Sequence, residues 1–151
     1  MKTTILMVCL GNICRSPLAE GILKSKLDHD SFFIDSAGTG GYHIGSKPDH
    51  RSIAVAEKYG IAISEQRCRK FSIEDFTAFD FIYVMDQSNY DHITSLTSKK
   101  EQRDKVQLLL KAADLSTTEV PDPYHDDDGF EFVFHLIDEA CEVLAKKLSA
   151  H

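Results

Sequence analysis

Four short apolar runs alternate with longer amphipathic stretches, and this alternation limits the possible folds more than any other feature. Ile5-Leu6-Met7-Val8, Phe32-Phe33-Ile34, Phe81-Ile82-Tyr83-Val84-Met85 and Val106-Gln107-Leu108-Leu109 read as strands. Ser16 to Leu27, Asp49 to Tyr59 and Ser88 to Leu96 read as helices. The last helix runs from about Phe130 to Leu148, with Val133, Ile137, Ala140, Leu144 and Leu148 on one face. Ser16 is the expected N-cap of the first helix, Pro17 its first position, and Gly60 the stop of the second. Strands alternating with helices predict an α/β fold, a parallel sheet with helices on both faces. The 151 residues suit a single domain over 1–151. Ligands in such folds sit beyond the carboxyl ends of the strands, where Ile5–Val8 delivers Cys9.

Charge and cysteine usage narrow the partners. Seventeen Lys+Arg against 24 Asp+Glu give a formal net charge of −7, which argues against a nucleic-acid partner. No run approaches the ~18 apolar residues of a membrane span, so no membrane partner is expected. The six apolar residues Ile5 to Leu10 end at Gly11-Asn12, too short a run for a secretory signal. Cys9 and Cys14 lie too close together to form a scaffold with the distant Cys68 and Cys141. Reduced thiols in a cytoplasm are the expectation.

The stretch Cys9-Leu10-Gly11-Asn12-Ile13-Cys14-Arg15-Ser16 joins a strand to a helix. Five residues between Cys9 and Arg15 suffice to wrap backbone N–H groups around a tetrahedral oxyanion, with the helix N-terminus aimed at the same point. Gly11 eases the curve, and Asn12 tolerates a left-handed conformation. Arg15 can hold two phosphate oxygens at once. The helix end, the amides and Arg15 all favour a thiolate at Cys9, and the Ser16 hydroxyl can donate to that sulfur. Cys14 has two readings: a thiol that captures oxidised Cys9 as a disulfide, or a small buried side chain under the loop.

Cleavage of a phosphate ester needs a proton for the departing oxygen. Asp122, in Pro121-Asp122-Pro123-Tyr124, is a candidate donor, although spacing alone favours a turn residue between prolines. Asp126-Asp127-Asp128 reads as a solvated acidic loop, with His125 its one adjacent histidine, so no metal and no cofactor is expected.

In order along the chain, these motifs resemble the low-molecular-weight protein tyrosine phosphatases over nearly the whole length. Val8 to Pro17 is similar to the family's phosphate loop, and Ser36-Ala37-Gly38-Thr39 to the segment after its second strand. Pro48-Asp49-His50-Arg51 is similar to its P-D-x-R motif. Met85-Asp86 resembles the end of its third strand, and Asp122-Pro123-Tyr124 its general-acid loop. The resemblance implies a four-stranded parallel sheet, with Cys9 as nucleophile, Arg15 as phosphate clamp and Asp122 as acid. It implies that Leu10, Gly11, Asn12, Ile13, Cys14 and Ser16 bind phosphate, and that Asn12, Ser16 and Ser36 share a network shaping the loop. It places Tyr42 and Tyr124 as the two walls of the substrate cleft. The implied reaction is hydrolysis of phosphotyrosine in proteins, and of aryl phosphates, through a cysteinyl-phosphate, by a monomer or weak dimer.

Ile13 stands where related protein arginine phosphatases commonly carry Thr, which favours a phenolic substrate. Two alternatives share the loop. Arsenate reductases need further redox cysteines on a mid-chain helix, whereas Cys68 stands alone in Gln66-Arg67-Cys68-Arg69-Lys70. A non-catalytic phosphate-binding module would need neither nucleophile nor acid. Gln66 and Lys70 depart from the His and Gln often found in the family. Tyr124-His125 replaces a tyrosine pair, so regulation through a second tyrosine is not expected.

Overall fold

Strand β1 (Thr3–Cys9) is apolar on both faces because helices cover both sides of it. Its side chains alternate across the sheet, as strand geometry requires. Ile5, Met7 and Cys9 join the core under α1 (Arg15–Lys26) and α7 (Gly129–Ser149). Leu6 and Val8 point the other way, toward Phe76 in α3 (Asp75–Ala78) and Ile93 in α4 (Gln87–Thr94). Truncating a fully buried residue such as Leu6 to Ala is expected to cost about 2–5 kcal/mol.

The computed structural model describes residues 1–150. Around β1 lie β2 (Phe32–Gly38), β3 (Phe81–Val84) and β4 (Val106–Leu108), in the order β2-β1-β3-β4 and parallel throughout. The remaining helices are α2 (His50–Lys58), α5 (Lys100–Arg103) and α6 (Leu109–Ala112). The expected four-stranded parallel sheet with helices on both faces is present. The chain leaves β1 for β2 on one side and reaches β3 on the other, so a crevice opens at the carboxyl end of β1, where Cys9 sits. Among the described residues no helix is long and apolar enough to cross a membrane.

Several boundaries differ from expectation. The N-cap of α1 is Cys14, not Ser16, and it makes no side-chain cap bond. Pro17 is therefore the third helical residue. It fits there because the first-turn N–H groups have no intrahelical partner to lose. β2 continues past Ile34 to Gly38, because Ser36 finds buried polar partners inside the fold. β4 ends at Leu108, and Leu109 already starts α6. The four-residue helices α3, α5 and α6 are too short to show a periodic pattern. α2 matches closely: the Asp49 side chain accepts from Arg51 N–H as its cap, and Gly60 follows at φ 80°.

Candidate active site

The loop between β1 and α1 turns its carbonyls outward and its amides inward. Cys9 O accepts from Thr39 N–H at 2.8 Å, and Leu10 O from Gly40 N–H at 2.9 Å. Asn12 O accepts from the Cys68 thiol at 2.8 Å. Ile13 O accepts from Asp49 N–H at 2.8 Å, and Cys14 O from the Ser52 hydroxyl at 3.2 Å. Among the described residues, the N–H groups of Leu10 to Cys14 find no protein acceptor. Free amides curled above a twelve-residue helix make an anion site.

The left-handed turn falls at Asn12 (φ 59°), not at Gly11. The glycine this curve requires is Gly38, at the end of β2. A Cβ there would meet Leu10 O at 2.9 Å, Gly11 C at 3.0 Å and Asn12 N at 3.1 Å. The resemblance matched Ser36-Ala37-Gly38-Thr39 to the segment after the family's second strand; here Ser36 to Gly38 close β2 itself, and Gly38 brings its backbone against the loop.

Cys9 is buried, with Sγ 3.1 Å from Ser16 Oγ. The hydrogen-bond directions follow from the donors. Asn12 Nδ2 donates to Ser16 Oγ (2.8 Å) and to Ser36 Oγ (3.0 Å), and Ser36 donates to Glu20 Oε1 (2.6 Å). With its oxygen occupied by Asn12, Ser16 can turn its own proton to the sulfur. The expected grouping of Asn12, Ser16 and Ser36 is present, and Glu20 extends it. Glu20 is buried, and that burial raises its carboxyl above the usual range, opposed by bonds from Lys24 and Ser36. Sequence reasoning missed Glu20, because one acidic residue in an amphipathic helix reads as a solvent-facing position. Gln66 donates to Pro17 O at 3.1 Å rather than to this network.

Arg15 is only 2% exposed. Its Nη1 donates to Asp86 Oδ2 (2.7 Å) and to Val120 O (2.9 Å), and its Nη2 lies 3.8 Å from Asp122 Oδ2. Burial opposes the charge, but Cys9 and Asp86 outweigh it and hold the guanidinium above its ordinary range. The Asp122 side chain is 43% exposed and accepts from Tyr124 N–H at 3.1 Å. A cavity of about 250 Å³ brings together Cys9, Ile13, Cys14, Arg15, Asp122, Tyr42, His43, Tyr124 and His125. Tyr42, 72% exposed, and Tyr124 stand at its mouth, where the resemblance put the cleft walls.

Two further residues shape the site. Arg51 grips the Asp49 carboxylate through Nε (3.0 Å) and Nη2 (2.9 Å) and reaches Asp127 at 2.5 Å. Its guanidinium lies over the Phe130 ring at 4.5 Å and the Tyr124 ring at 5.5 Å. Cys14 shares the cavity as a free thiol. Burial first, then Asp49 and Cys9, push it far above the usual thiol range.

The family model for low molecular weight phosphotyrosine protein phosphatases matches residues 4–151. Low molecular weight protein-tyrosine-phosphatase YfkJ of Bacillus subtilis is 37% identical over 93% of this chain and 92% of its own length. The human low molecular weight phosphotyrosine protein phosphatase is 34% identical over 95% of this chain and 94% of its own. A crystal structure of a protein tyrosine phosphatase from Entamoeba histolytica superposes with a TM-score of 0.92 at 35% identity, covering 99% of this chain and 98% of that one. With nearly the whole length matched in sequence and in fold, this chain belongs to the low molecular weight phosphotyrosine protein phosphatase family.

Proposed function

We propose that this chain hydrolyses phosphotyrosine in proteins, with Cys9 as nucleophile, Arg15 as clamp and Asp122 as acid and base. The observation that carries the reading is convergence. One cavity holds a sulfur beneath unpaired amides, a guanidinium beside them, a carboxyl at the opening and two tyrosine rings. Tyr42 and Tyr124 line the same cavity as Cys9, which supports an aromatic ester with its ring between theirs and its phosphorus over the sulfur.

The Cys9 thiolate attacks phosphorus, and the tyrosine oxygen leaves on the opposite side. The loop amides and Arg15 hold the equatorial oxygens, where charge is spread in the transition state. Asp122 gives its proton to the departing oxygen. Water then attacks the cysteinyl-phosphate, the Asp122 carboxylate takes a proton from that water, and the S–P bond breaks so that the thiolate leaves toward the Ser16 hydroxyl. Ile13 offers no hydroxyl to a guanidinium, which supports a phenolic over an arginine substrate. A monomer or weak dimer in a cytoplasm belongs to this reading, and the net charge of −7 supports the expectation of no nucleic-acid partner. Arsenate reduction has no support in the thiols, since Cys68 is bonded to Asn12 O and Cys141 sits on the buried face of α7.

The test is Cys9→Ser with p-nitrophenyl phosphate. Turnover is expected to vanish while inorganic phosphate still binds and the melting temperature is kept. Hydrolysis at the wild-type rate would remove Cys9 from the nucleophile role.

A further inference from the structure

The segment Cys68 to Phe71 lies beside the end of β2 and touches the phosphate loop at one residue. Gly38 N–H donates to Arg69 O (2.9 Å) and Phe71 N–H to Gly38 O (2.7 Å), which docks the segment. From it, Arg69 N–H donates to Asn12 Oδ1 (2.9 Å) and the Cys68 thiol to Asn12 O (2.8 Å). Asn12, the loop residue with positive φ, is therefore gripped by its side chain and by its carbonyl.

The two bonds do different work. The first fixes the carboxamide that orients Ser16 and Ser36. The second acts on the peptide unit between Asn12 and Ile13. That unit is planar and conjugated, so a donor on its oxygen draws electron density away from its nitrogen. Its N–H is the Ile13 amide, one of those left free for an anion.

We propose that Cys68 is a positioning residue of the reaction: its S–H, acting through the Asn12–Ile13 peptide, aims and polarises one amide of the ring that holds the phosphoryl group. The proposal rests on the catalytic reading of the loop given above. Cys68 is 4% exposed, so solvent does not compete for the carbonyl. Its other acceptor, Lys47 O, is distant at 3.8 Å. Burial, and then the charge of Cys9, push the thiol up to about 11, which keeps the proton on sulfur near neutrality. A thiolate there would repel the carbonyl it now supports.

Cys68→Ser, Cys68→Ala and Cys68→Val separate donation from packing. The readouts are kcat/KM for p-nitrophenyl phosphate and the inhibition constant of inorganic phosphate, with thermal melts as a check of folding. If the donor matters, Ala and Val weaken phosphate inhibition and kcat/KM together by about three- to tenfold, while Ser stays within about twofold of wild type. If Cys68 only fills space, the order inverts: Val keeps wild-type values and Ser, a hydroxyl in a tight slot, is worst. That inversion, or Ser falling as far as Ala, overturns the proposal. Should Val fail to fold, the Ser–Ala pair still decides. An inactive wild type would instead strike the catalytic reading, whereas an active wild type with an unaffected Ala variant strikes this proposal alone.

Discussion

Asp86 holds Arg15 from behind. Its Oδ2 accepts from Nη1 at 2.7 Å, while the other edge of the guanidinium faces the cavity. The same carboxylate caps α4 through Oδ1, accepting from Asn89 N–H at 2.9 Å. The two roles are separable. Asp86→Asn keeps a capping oxygen but removes the charge opposite Arg15, and is expected to raise KM for p-nitrophenyl phosphate about tenfold, the range of a hydrogen bond to a charged group. Asp86→Ala also loses the cap, a further cost of about 1 kcal/mol in stability. Steady-state kinetics beside thermal melts distinguish the variants.

Asp122→Ala is expected to lower kcat/KM for phenyl phosphate by about 10²- to 10⁴-fold, the usual worth of a positioned acid. The loss with p-nitrophenyl phosphate should be much smaller, because that leaving group departs without a proton. A plot of rate against leaving-group pKa steepens in the variant. Parallel plots would take Asp122 out of the acid role.

Arg51 ties the two halves of the site together. It grips Asp49, whose N–H holds Ile13 O, and Asp127 in the loop that carries Asp122. Arg51→Lys keeps the charge but cannot span both carboxylates or stack on two rings. The expected result is a loss of about tenfold in kcat/KM for a phosphotyrosine peptide, with phosphate inhibition unchanged. A matching loss of phosphate affinity would place the effect in the nucleophile loop instead.

Acid stability should depend on Glu131, which joins α7 to α2. It accepts from the Tyr59 hydroxyl and from Lys58 Nζ (2.9 Å), and lies 2.9 Å from His135 Nε2. The Tyr59 bond foremost, then Lys58 and His135, hold its carboxyl down to about 2, against an ordinary 4.5. A depressed carboxyl contributes stability that is present above pH 4.5 and lost as pH falls toward 2. The wild-type melting temperature is therefore expected to fall through this window with a component that Glu131→Gln lacks. Equal slopes for the two proteins would show that the cluster adds nothing.

What the sequence made legible was local. The apolar run, the curl and the helix start stand next to one another, so Cys9, Asn12, Arg15 and Ser16 could be read as one unit. Asp122 stands out in its own loop but needs the resemblance to be preferred over a turn residue, and Tyr42 needs it outright, because only the crossovers of the sheet bring residues so far apart to one cavity. Glu20, Asp86 and Cys68 act through partners on other elements; Met85-Asp86 matches a strand end without a role, and nothing local gives Glu20 or Cys68 one. The first helix was misplaced for a related reason. Ser16-Pro17 is a good local start signal, but Ser16 is the second helical residue, and its hydroxyl faces the sulfur rather than capping the helix.

The outward carbonyls of the loop are held by donors from the turn after β2, from the start of α2 and from Cys68. None of these donors lies within the loop, so the ring has no shape of its own. The clasp on Asn12 comes from a residue 56 positions further along the chain. The curl of this ring is thus a late product of folding, completed only when segments far apart in the chain have packed around it.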